Sequence, residues 1–368
     1  MMGGCGPLCV WLVALVSFAG LGLTLGAKRK RDACMSYAIC VTGHVARLEL
    51  QSKLDYLVVP QLELGCEVQV FVSAYSVTKE KSYSKHYLQS SISDEVHTNG
   101  TVDWQAYMEK KNWHVVREND DFSDSIDFEN MQHYRVMTNN QGQSFGFHVD
   151  FYTEHSAYGI DTTLGSGSSR KRSKEKDILV EWSGLHRLMD IIDAHESKVG
   201  AHFGAVARLG ESVHVLDSVT LPRLFDRQLK TLKWQENGGL NHRVYLLGRG
   251  GANCFLRSFY HEYFHDHQSL RDLFRYDKEK VAYAHAGTCR MALSTLQNCE
   301  LPALDMYHTP DGQLSFKIET FTALNLNNKY NEVFSQCPKT LAIVSRTMEA
   351  QRNVSVDTFS GNNDDDNF

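Results

Sequence analysis

The sequence has few of the features that mark disordered, repetitive or strongly charged proteins. Its 368 residues include only six prolines, and we find no internal repeat and no long low-complexity tract, so most of the chain is expected to fold. The formal net charge is −6 at pH 7, which gives no reason to propose nucleic acid as a partner. The P-loop and the G-x-G-x-x-G fingerprint are both absent, which removes the commonest signals of nucleotide triphosphatases and dehydrogenases.

Charge is also absent from residues 8–27, an apolar segment that a basic run at residues 28–31 follows directly. Twenty such residues are just long enough for a helix to cross the ~30 Å hydrocarbon core of a membrane. A secretory signal peptide begins in the same way, and Thr24 and Gly26 fit its cleavage site. The run exceeds the ~7–15 residues of a usual signal core, which favours an uncleaved anchor. We assign residues 1–31 to a signal anchor or signal peptide with a basic flank.

Two features favour a lumenal position for the rest of the chain. N-glycosylation acceptor triplets begin at Asn99 and Asn353, as expected of surface loops in the secretory pathway. Seven cysteines follow the apolar segment, which suits an oxidising compartment and leaves one cysteine unpaired. The basic flank argues for the opposite orientation, because positive flanks are retained in the cytosol. Four of the cysteines allow three pairings, between which the sequence does not choose: Cys254, Cys289, Cys299 and Cys337.

Apolar runs and amphipathic stretches alternate along the chain. Residues 37–41 predict a buried strand, residues 45–58 a helix and residues 67–72 a second strand. This alternation predicts an α/β domain over residues 32–350, with a mainly parallel sheet and helices on both faces. Because ligands bind at the carboxyl ends of strands in such sheets, we expect a site in the loops after Val41 and Ala207.

Further elements are predicted downstream. A helix over residues 102–110, a strand over 113–116 and a helix carrying Leu185 continue the alternation. Residues 118–176 show little periodicity and many polar residues, which predicts an elaborated loop. The tail at 351–368 contains three consecutive aspartates and is expected to be disordered.

Short sequence blocks resemble a known family. They are AICVTG at 38–43, AVARLGE at 205–211, GGLN at 238–241 and VYLLGR at 244–249. Their order and spacing, within residues 36–265, resemble a poorly characterised group of eukaryotic glycosyltransferase-like membrane proteins. The resemblance implies a GT-A-like (Rossmann-like) fold and a hexosyltransferase-type activity, with a nucleotide sugar as donor and a glycan or protein as acceptor. It also implies residence in the Golgi lumen, anchored through residues 8–27, with a secreted protein as the alternative.

The resemblance implies a metal site as well. In the GT-A pattern, an acidic cluster after a central strand holds Mn²⁺ or Mg²⁺, which neutralises the diphosphate leaving group. An acidic pair is expected at Glu211 and Ser212, and an aspartate at His242, so two of the three acids are missing. Glu211 and His214 together are one candidate metal site.

Two other interpretations remain open. Arg208, Arg249 and Lys233 are candidates to stabilise the diphosphate without a metal. Alternatively, the protein has lost its acidic metal site and is a non-catalytic lumenal protein that binds a carbohydrate or a nucleotide sugar.

The resemblance assigns a role to each short segment. Donor-binding residues are expected in the turn after the first strand and at the end of a central strand: Thr42, Gly43, His44, Arg47 and Arg208. Acceptor-side residues are expected before a later strand: Gly238, Gly239 and Asn241. Glu211 and His242 are the candidates for a catalytic base.

A competing motif occurs near residue 260. The sequence HEYFH matches the H-E-x-x-H zinc signature, in which His261 and His265 would share a metal. The extension that supplies a third ligand in metzincins is absent, and His285 is the nearest substitute. The apolar face of residues 255–264 favours a core helix over a zinc hydrolase.

Overall fold

The computed structural model describes most of the predicted α/β domain. The residues that it describes are 34–45, 48–76, 104–118, 132–153, 169–232, 240–259, 278–296, 299–308, 314–316 and 342. The apolar segment at 8–27, the tail at 351–368 and both glycosylation acceptors lie outside these ranges. Within them, no helix is long and apolar enough to cross a membrane.

The predicted β-α-β opening is confirmed. Strand β1 (Tyr37–His44) precedes a helical segment, α1, which leads to strand β2 (Val68–Ser76). Segment α1 consists of Gln51–Lys53, a π-helical turn at Leu54–Val58, and Val59–Glu63.

A proline shapes the second half of α1. Pro60 has no N–H, so the carbonyl of Tyr56, four residues earlier, cannot receive the usual helical hydrogen bond. The backbone N–H of Val219 donates to that carbonyl instead, at 2.8 Å. The proline thereby frees a group that ties α1 to a distant loop.

The other described elements extend this core. In chain order they are α2 (Trp104–Glu109), β3 (Trp113–Glu118), β4 (Gln132–Asn139), β5 (Ser144–Thr153), α3 (Ser169–Val199), β6 (Ala205–Gly210), β7 (Val213–Val215), β8 (Gln228–Leu232), β9 (Val244–Gly248), α4 (Arg249–Ala252, continued by a π-helical turn at Asn253–Arg257), α5 (Lys278–Thr288), β10 (Ala292–Leu296), β11 (Ala303–His308) and β12 (Leu314–Phe316). The predicted α2, β3 and α3 are therefore present.

Nine of the described strands form one sheet in the order β10-β8-β9-β6-β1-β2-β5-β4-β3. The four neighbours β6, β1, β2 and β5 are parallel, as expected, and β8 is parallel to β10. Strands β9, β4 and β3 add antiparallel pairings on both sides of that centre, which the alternation did not predict. The result is a mixed α/β fold, compatible with the Rossmann-like class. Strands β12, β11 and β7 form a second, small sheet.

Helices cover both faces of the sheet. Successive side chains of a strand point to opposite faces, and β1 places apolar side chains on both of them. Ile39 and Val41 share one buried cluster with Leu57 of α1. Cys40 shares the other with Leu188 of α3. All eight residues of β1 are buried, so this strand lies at the centre of the domain.

The loop predicted over residues 118–176 is wrong in part. Strands β4 and β5 lie within that range and pair as an antiparallel hairpin, and α3 begins at Ser169. At the hairpin turn, the Asn139 side chain accepts hydrogen bonds from the backbone N–H groups of Gln141 and Gln143, both at 3.0 Å. One face of β5 is apolar and the other carries buried polar residues, including Asp150. This buried polarity hides the strand pattern from sequence reasoning.

Disulfides close two of the connections. Cys34 is bonded to Cys66, and Cys254 to Cys289, so one of the three pairings left open by the sequence is realised for Cys254. Cys299 is also disulfide-bonded. Cys40 is the free cysteine of the described residues, and burial raises the pKa of its thiol, which makes it unreactive.

Two buried histidines predict acid sensitivity. His148 of β5 and His195 of α3 are each 3% exposed, and their ring centroids are 4.8 Å apart. Burial, and then the neighbouring His195, lowers the pKa of His148 well below its ordinary value. Burial also lowers the pKa of His195. An unfolded histidine titrates near ~6.5, so the stability that these neutral rings contribute is complete above that pH and is lost below it.

We therefore expect urea unfolding at pH 5.5 to give a lower free energy of unfolding than at pH 7.5. The slope is up to about 1.4 kcal/mol per histidine for each pH unit below ~6.5. His148→Phe preserves the stacking on Phe71, whose ring centroid is 4.4 Å away, and should reduce this pH difference. His202→Phe, at a site where the side chain is 82% exposed, serves as the control. An unchanged slope in His148→Phe would contradict the assignment.

Candidate functional site at the ends of β1 and β6

The order of the strands reverses beside β1. The chain proceeds from β1 to β2 and β5 on one side and then returns as β6 on the other. In open α/β sheets such a switch point opens a crevice at the carboxyl ends of the strands. Thr42 pairs with Gly210 at that end, so the two loops chosen from the sequence lie side by side.

Gly43 and Glu211 are in close contact at the place where this rule predicts the crevice. Gly43 has a φ of +144°. A Cβ atom at this position would lie 2.1 Å from Oε2 of Glu211 and 2.8 Å from its Cβ. Glu211 is only 4% exposed, and Nη1 of Arg243 is 4.0 Å from its Oε1. Glu211 is thus a buried carboxylate seated on the backbone of β1.

Gly43→Ala should therefore both destabilise the fold and displace Glu211. The positive φ and the overlap together predict a loss of about 1–3 kcal/mol in the free energy of unfolding, measured by urea denaturation. Glu211→Ala removes the overlap with the carboxylate and leaves the 2.8 Å contact with Cβ, together with the backbone strain. In that background Gly43→Ala should cost less, and equal costs in the two backgrounds would show that the contact contributes nothing.

The histidine next to Gly43 faces a neighbouring strand. The ring of His44 meets the ring of Tyr75 edge to face, with centroids 5.2 Å apart, at the end of β2. His44 is 8% exposed. It pairs with Tyr75 at the carboxyl ends of β1 and β2. Arg47 lies outside the described residues.

Arg208 is enclosed by protein groups. Its Nε donates to Oγ1 of Thr42 at 3.0 Å, its Nη2 to Oε1 of Glu181 at 2.8 Å, and its Nη1 to the carbonyl of His242. The residue is 1% exposed and its guanidinium lies 5.7 Å from the ring centroid of Tyr245. In this geometry the charge holds the end of β1 to the segment before β9, and it is not presented to a ligand.

The other arginine proposed for a diphosphate is in the wrong place. Arg249 follows Gly248, which pairs with Ala205 at the start of β6, so it lies at the opposite end of the sheet from the crevice. Its guanidinium is bonded to Glu196 at 2.7 Å and to Asp193. Sequence reasoning missed Arg243, which is the arginine next to Glu211. Lys233 lies outside the described residues.

A buried charge network supports the Glu211 loop from below. Nζ of Lys53 donates to the carbonyls of Glu49, Glu211 (3.3 Å) and Val213 (2.5 Å), and lies 3.6 Å from the Glu49 carboxylate. Burial by itself would raise the pKa of Glu49, but His214, Lys53 and the hydrogen bonds of Ser52 lower it to about 2. Glu49 is therefore ionised, and the network fixes the turn after β6.

The described residues do not fit the predicted Mn²⁺ or Mg²⁺ site. Nδ1 of His214 lies 3.7 Å from the carboxylate of Glu49, and Glu211 lies against Gly43 beside Arg243. In the part of the chain that the structure describes, no three His, Cys, Asp or Glu side chains are grouped as metal ligands. Hard divalent cations require several oxygen ligands, so we derive no step through a metal.

The segment before β9 lines the other side of the crevice. Asn241 is buried, and its Oδ1 accepts a hydrogen bond from the backbone N–H of Arg243 at 2.8 Å. Its side chain therefore shapes the turn. Nδ1 of His242 lies 2.7 Å from Oε1 of Glu279 in α5. Gly238 and Gly239 lie outside the described residues.

A second polar group lies further along the same edge of the sheet. Asp150 of β5 receives two hydrogen bonds from Arg187 of α3, at 2.6 and 2.7 Å, and one from Ser73 of β2 at 3.2 Å. Asp150 is fully buried. The bidentate pair fixes α3 across β2 and β5, and sequence reasoning missed it because Asp150 was assigned to a loop.

Hydrolase motifs find no support in the described residues. Residues 142–146 read GQSFG and match the G-x-S-x-G pattern. However, Ser144 begins β5 in a hairpin, and its hydroxyl donates to Thr138 at 3.1 Å, so the strand-to-helix elbow is absent. His285, the substitute zinc ligand, is 1% exposed and packs against Phe259 with ring centroids 4.1 Å apart. His261 and His265 themselves lie outside the described residues.

Comparisons with known proteins add little to this geometry. No family model and no curated protein matches the chain. Among solved structures, the chain is similar to the glycosyltransferase GlyE from Streptococcus pneumoniae TIGR4, with a TM-score of 0.26 and 9% sequence identity. The match covers 72% of this chain and 46% of that one, so the chain spans about half the length of its neighbour. A TM-score at this level carries no argument about activity.

Proposed function

We propose that the protein is a glycosyltransferase-like enzyme that binds a nucleotide sugar in the crevice between β1 and β6. The observation that carries the proposal is the contact of Gly43 with Glu211 at the switch point of the sheet. A glycine at the end of the first strand lets another group approach the backbone closely, and the switch point is where such folds bind nucleotides. The transferred group is a sugar, and the acceptor is a hydroxyl of a glycan or a protein.

In this proposal Arg243 meets the diphosphate. Its side chain is 16% exposed and lies at the rim beside Glu211. A guanidinium offers planar, bidentate hydrogen bonds to phosphate oxygens and stabilises the charge that develops as the diphosphate leaves. Thr42, Gly43 and His44 supply the wall on the side of β1, and Arg208 positions that wall.

The alternative is a protein that binds a nucleotide sugar without transferring it. The specific observation in its favour is that the described residues include no group of metal ligands. Of the three acids expected at the metal site, the sequence has only Glu211. Release of the nucleoside diphosphate separates the two functions, since a binding protein would leave the donor intact.

The experiment is a thermal-shift screen of the purified full chain against UDP-sugars and GDP-sugars, with Mn²⁺ or with EDTA. A selective ligand at one hundred times its Kd should stabilise the folded state by about 2.7 kcal/mol, and EDTA should not remove the effect. Arg243→Met should weaken the shift, whereas the exposed Arg227→Met should not. No shift with any donor, with or without Mn²⁺, would overturn the proposal.

We also infer that the body of the chain lies in the Golgi lumen, and its glycans test this. In eukaryotic cells, treatment with an N-glycosidase should increase the gel mobility of the full chain, because Asn99 or Asn353 carries a glycan. The double substitution Asn99→Gln/Asn353→Gln should abolish that increase. A full chain whose mobility is insensitive to the enzyme would place the body outside the lumen.

A further inference from the structure

A histidine and a glutamate form a close pair beside the crevice. Nδ1 of His242 is 2.7 Å from Oε1 of Glu279, with side chains 20% and 12% exposed. Glu279 lies in the first turn of α5, and its backbone carbonyl accepts a hydrogen bond from Leu240 at 3.0 Å. Glu279 therefore contacts this segment at two residues, Leu240 and His242.

The contact with Glu279 determines which nitrogen of the His242 ring carries the proton. An ionised carboxylate only accepts hydrogen bonds, so Nδ1 of His242 must be the donor. In the neutral ring the lone pair then belongs to Nε2. Carboxylates orient basic histidines in this way at many active sites, where the second nitrogen accepts a proton.

Two links place the pair at the crevice. The carbonyl of His242 accepts a hydrogen bond from Arg208, whose Nε is bonded to Thr42 at the end of β1. The next residue, Arg243, lies 4.0 Å from Glu211. The imidazole is thus one residue away from the arginine that we assign to the diphosphate.

The other carboxylates described near the crevice already have guanidinium partners. Glu181 is bonded to Arg208 at 2.8 Å, and Glu211 is seated on Gly43 with Arg243 beside it. A guanidinium next to a carboxylate favours its ionised form and weakens it as a base. His242 instead has a carboxylate as its partner.

We propose that His242 is the general base of the transfer and that Glu279 is its positioning residue. This inference rests on the proposed function. Nε2 of His242 takes the proton of the acceptor hydroxyl, and the hydroxyl oxygen forms a bond to the anomeric carbon of the donor. The bond between that carbon and the diphosphate oxygen breaks, and its electron pair leaves with the nucleoside diphosphate. A single displacement of this kind inverts the anomeric carbon.

The chain offers a matched control at the other end of β6. Nδ1 of His202 lies 2.9 Å from Oε2 of Glu196, and the His202 side chain is 82% exposed. It is a second histidine–glutamate pair of similar geometry that is remote from the crevice. His202→Ala therefore reports the effect of losing such a pair without touching the site.

The experiment uses the full chain with the donor that stabilises it in the screen of UDP-sugars and GDP-sugars, and with water as the acceptor. Release of nucleoside diphosphate gives kcat, and the thermal shift reports donor binding. We expect His242→Ala to lower kcat by about 100-fold or more with an unchanged donor shift, and added imidazole to restore part of the rate. Glu279→Gln should lower kcat about 10-fold, and His202→Ala should leave both readouts unchanged.

Each outcome decides something. A rate in His242→Ala within a factor of ~3 of the parent, or no recovery with imidazole, would overturn the assignment of the base. Donor binding without turnover by the parent protein would also overturn it, and would leave the binding function standing. An absence of donor binding by the parent would remove the proposed function itself. His242→Gln keeps an N–H donor toward Glu279 and replaces the alanine variant if that one does not fold.

Discussion

Replacing Arg208 with methionine is expected to lower the free energy of unfolding by about 3–5 kcal/mol. The guanidinium is buried and bonded to Thr42, Glu181 and the carbonyl of His242. Methionine fills much of the same volume and supplies none of these donors, so Glu181 loses its cation and two polar oxygens lose a donor. Urea denaturation at pH 7.5 measures the effect.

The exposed Arg227→Met is the control, since surface substitutions usually change stability by less than about 0.5 kcal/mol. The double variant Arg208→Met/Glu181→Gln should recover part of the loss, because the amide carries no uncompensated charge. Equal stabilities of Arg208→Met and the parent protein would show that the guanidinium contributes no net stability. Donor binding should fall in Arg208→Met as well, because Thr42 and His242 lie on opposite walls of the crevice.

The central architecture could be predicted from the sequence because it depends on local patterns. The apolar run of β1 and the helical spacing before Pro60 specify a strand and a helix, and the same signals recur up to β6. The carboxyl ends of parallel strands share one edge, so the meeting of Gly43 with the β6 loop followed from strand order. The sequence did not predict that Glu211 would be buried on that glycine.

The partners of the site residues could not be predicted, because they come from distant segments. Glu181 and Glu279 lie on helices that are remote in sequence from Arg208 and His242, and no local spacing marks either contact. Arg249 was assigned to the site from the sequence but does not lie there. Its charge suggested a phosphate ligand, but the pairing of Gly248 with Ala205 places it at the far end of the sheet. The pairing register of β9 with β6 determines at which end of the sheet Arg249 lies, and this register depends on non-local contacts.

The two sides of the crevice depend on each other through buried ions. Arg208 joins the end of β1 to the segment before β9, while Lys53 joins the helix after β1 to the turn after β6. Each cation donates hydrogen bonds to backbone carbonyl oxygens of these segments. The walls of the crevice are therefore positioned by charged groups that do not themselves face a ligand.

Lys53→Met should consequently be as damaging as the loss of Arg208. The Lys53 side chain is 1% exposed, and its Nζ serves three backbone carbonyls and the Glu49 carboxylate. Methionine removes the lysine cation from the buried Glu49 and leaves His214 beside it. Loss of one partner of a buried ion pair typically costs about 3–5 kcal/mol. Urea denaturation should show this loss, and the exposed Lys110→Met should not. Donor binding should weaken in parallel, since the carbonyl of Glu211 loses one of its hydrogen bonds.

The pH dependence separates lost charge pairing from lost packing. The pKa of Glu49 is lower in the folded protein than its ordinary value of 4.5, so its ionised carboxylate stabilises the fold at pH values above about 4.5. This stability is lost as the pH falls from about 4.5 to about 2. Without Lys53 the carboxylate titrates at a higher pH, so the penalty of Lys53→Met should shrink as the solution is acidified below ~4.5. Glu49→Gln removes the charge, and Lys53→Met should cost less in that background. A penalty that is the same at pH 7 and pH 3 would show that Lys53 acts through packing and carbonyl bonds alone.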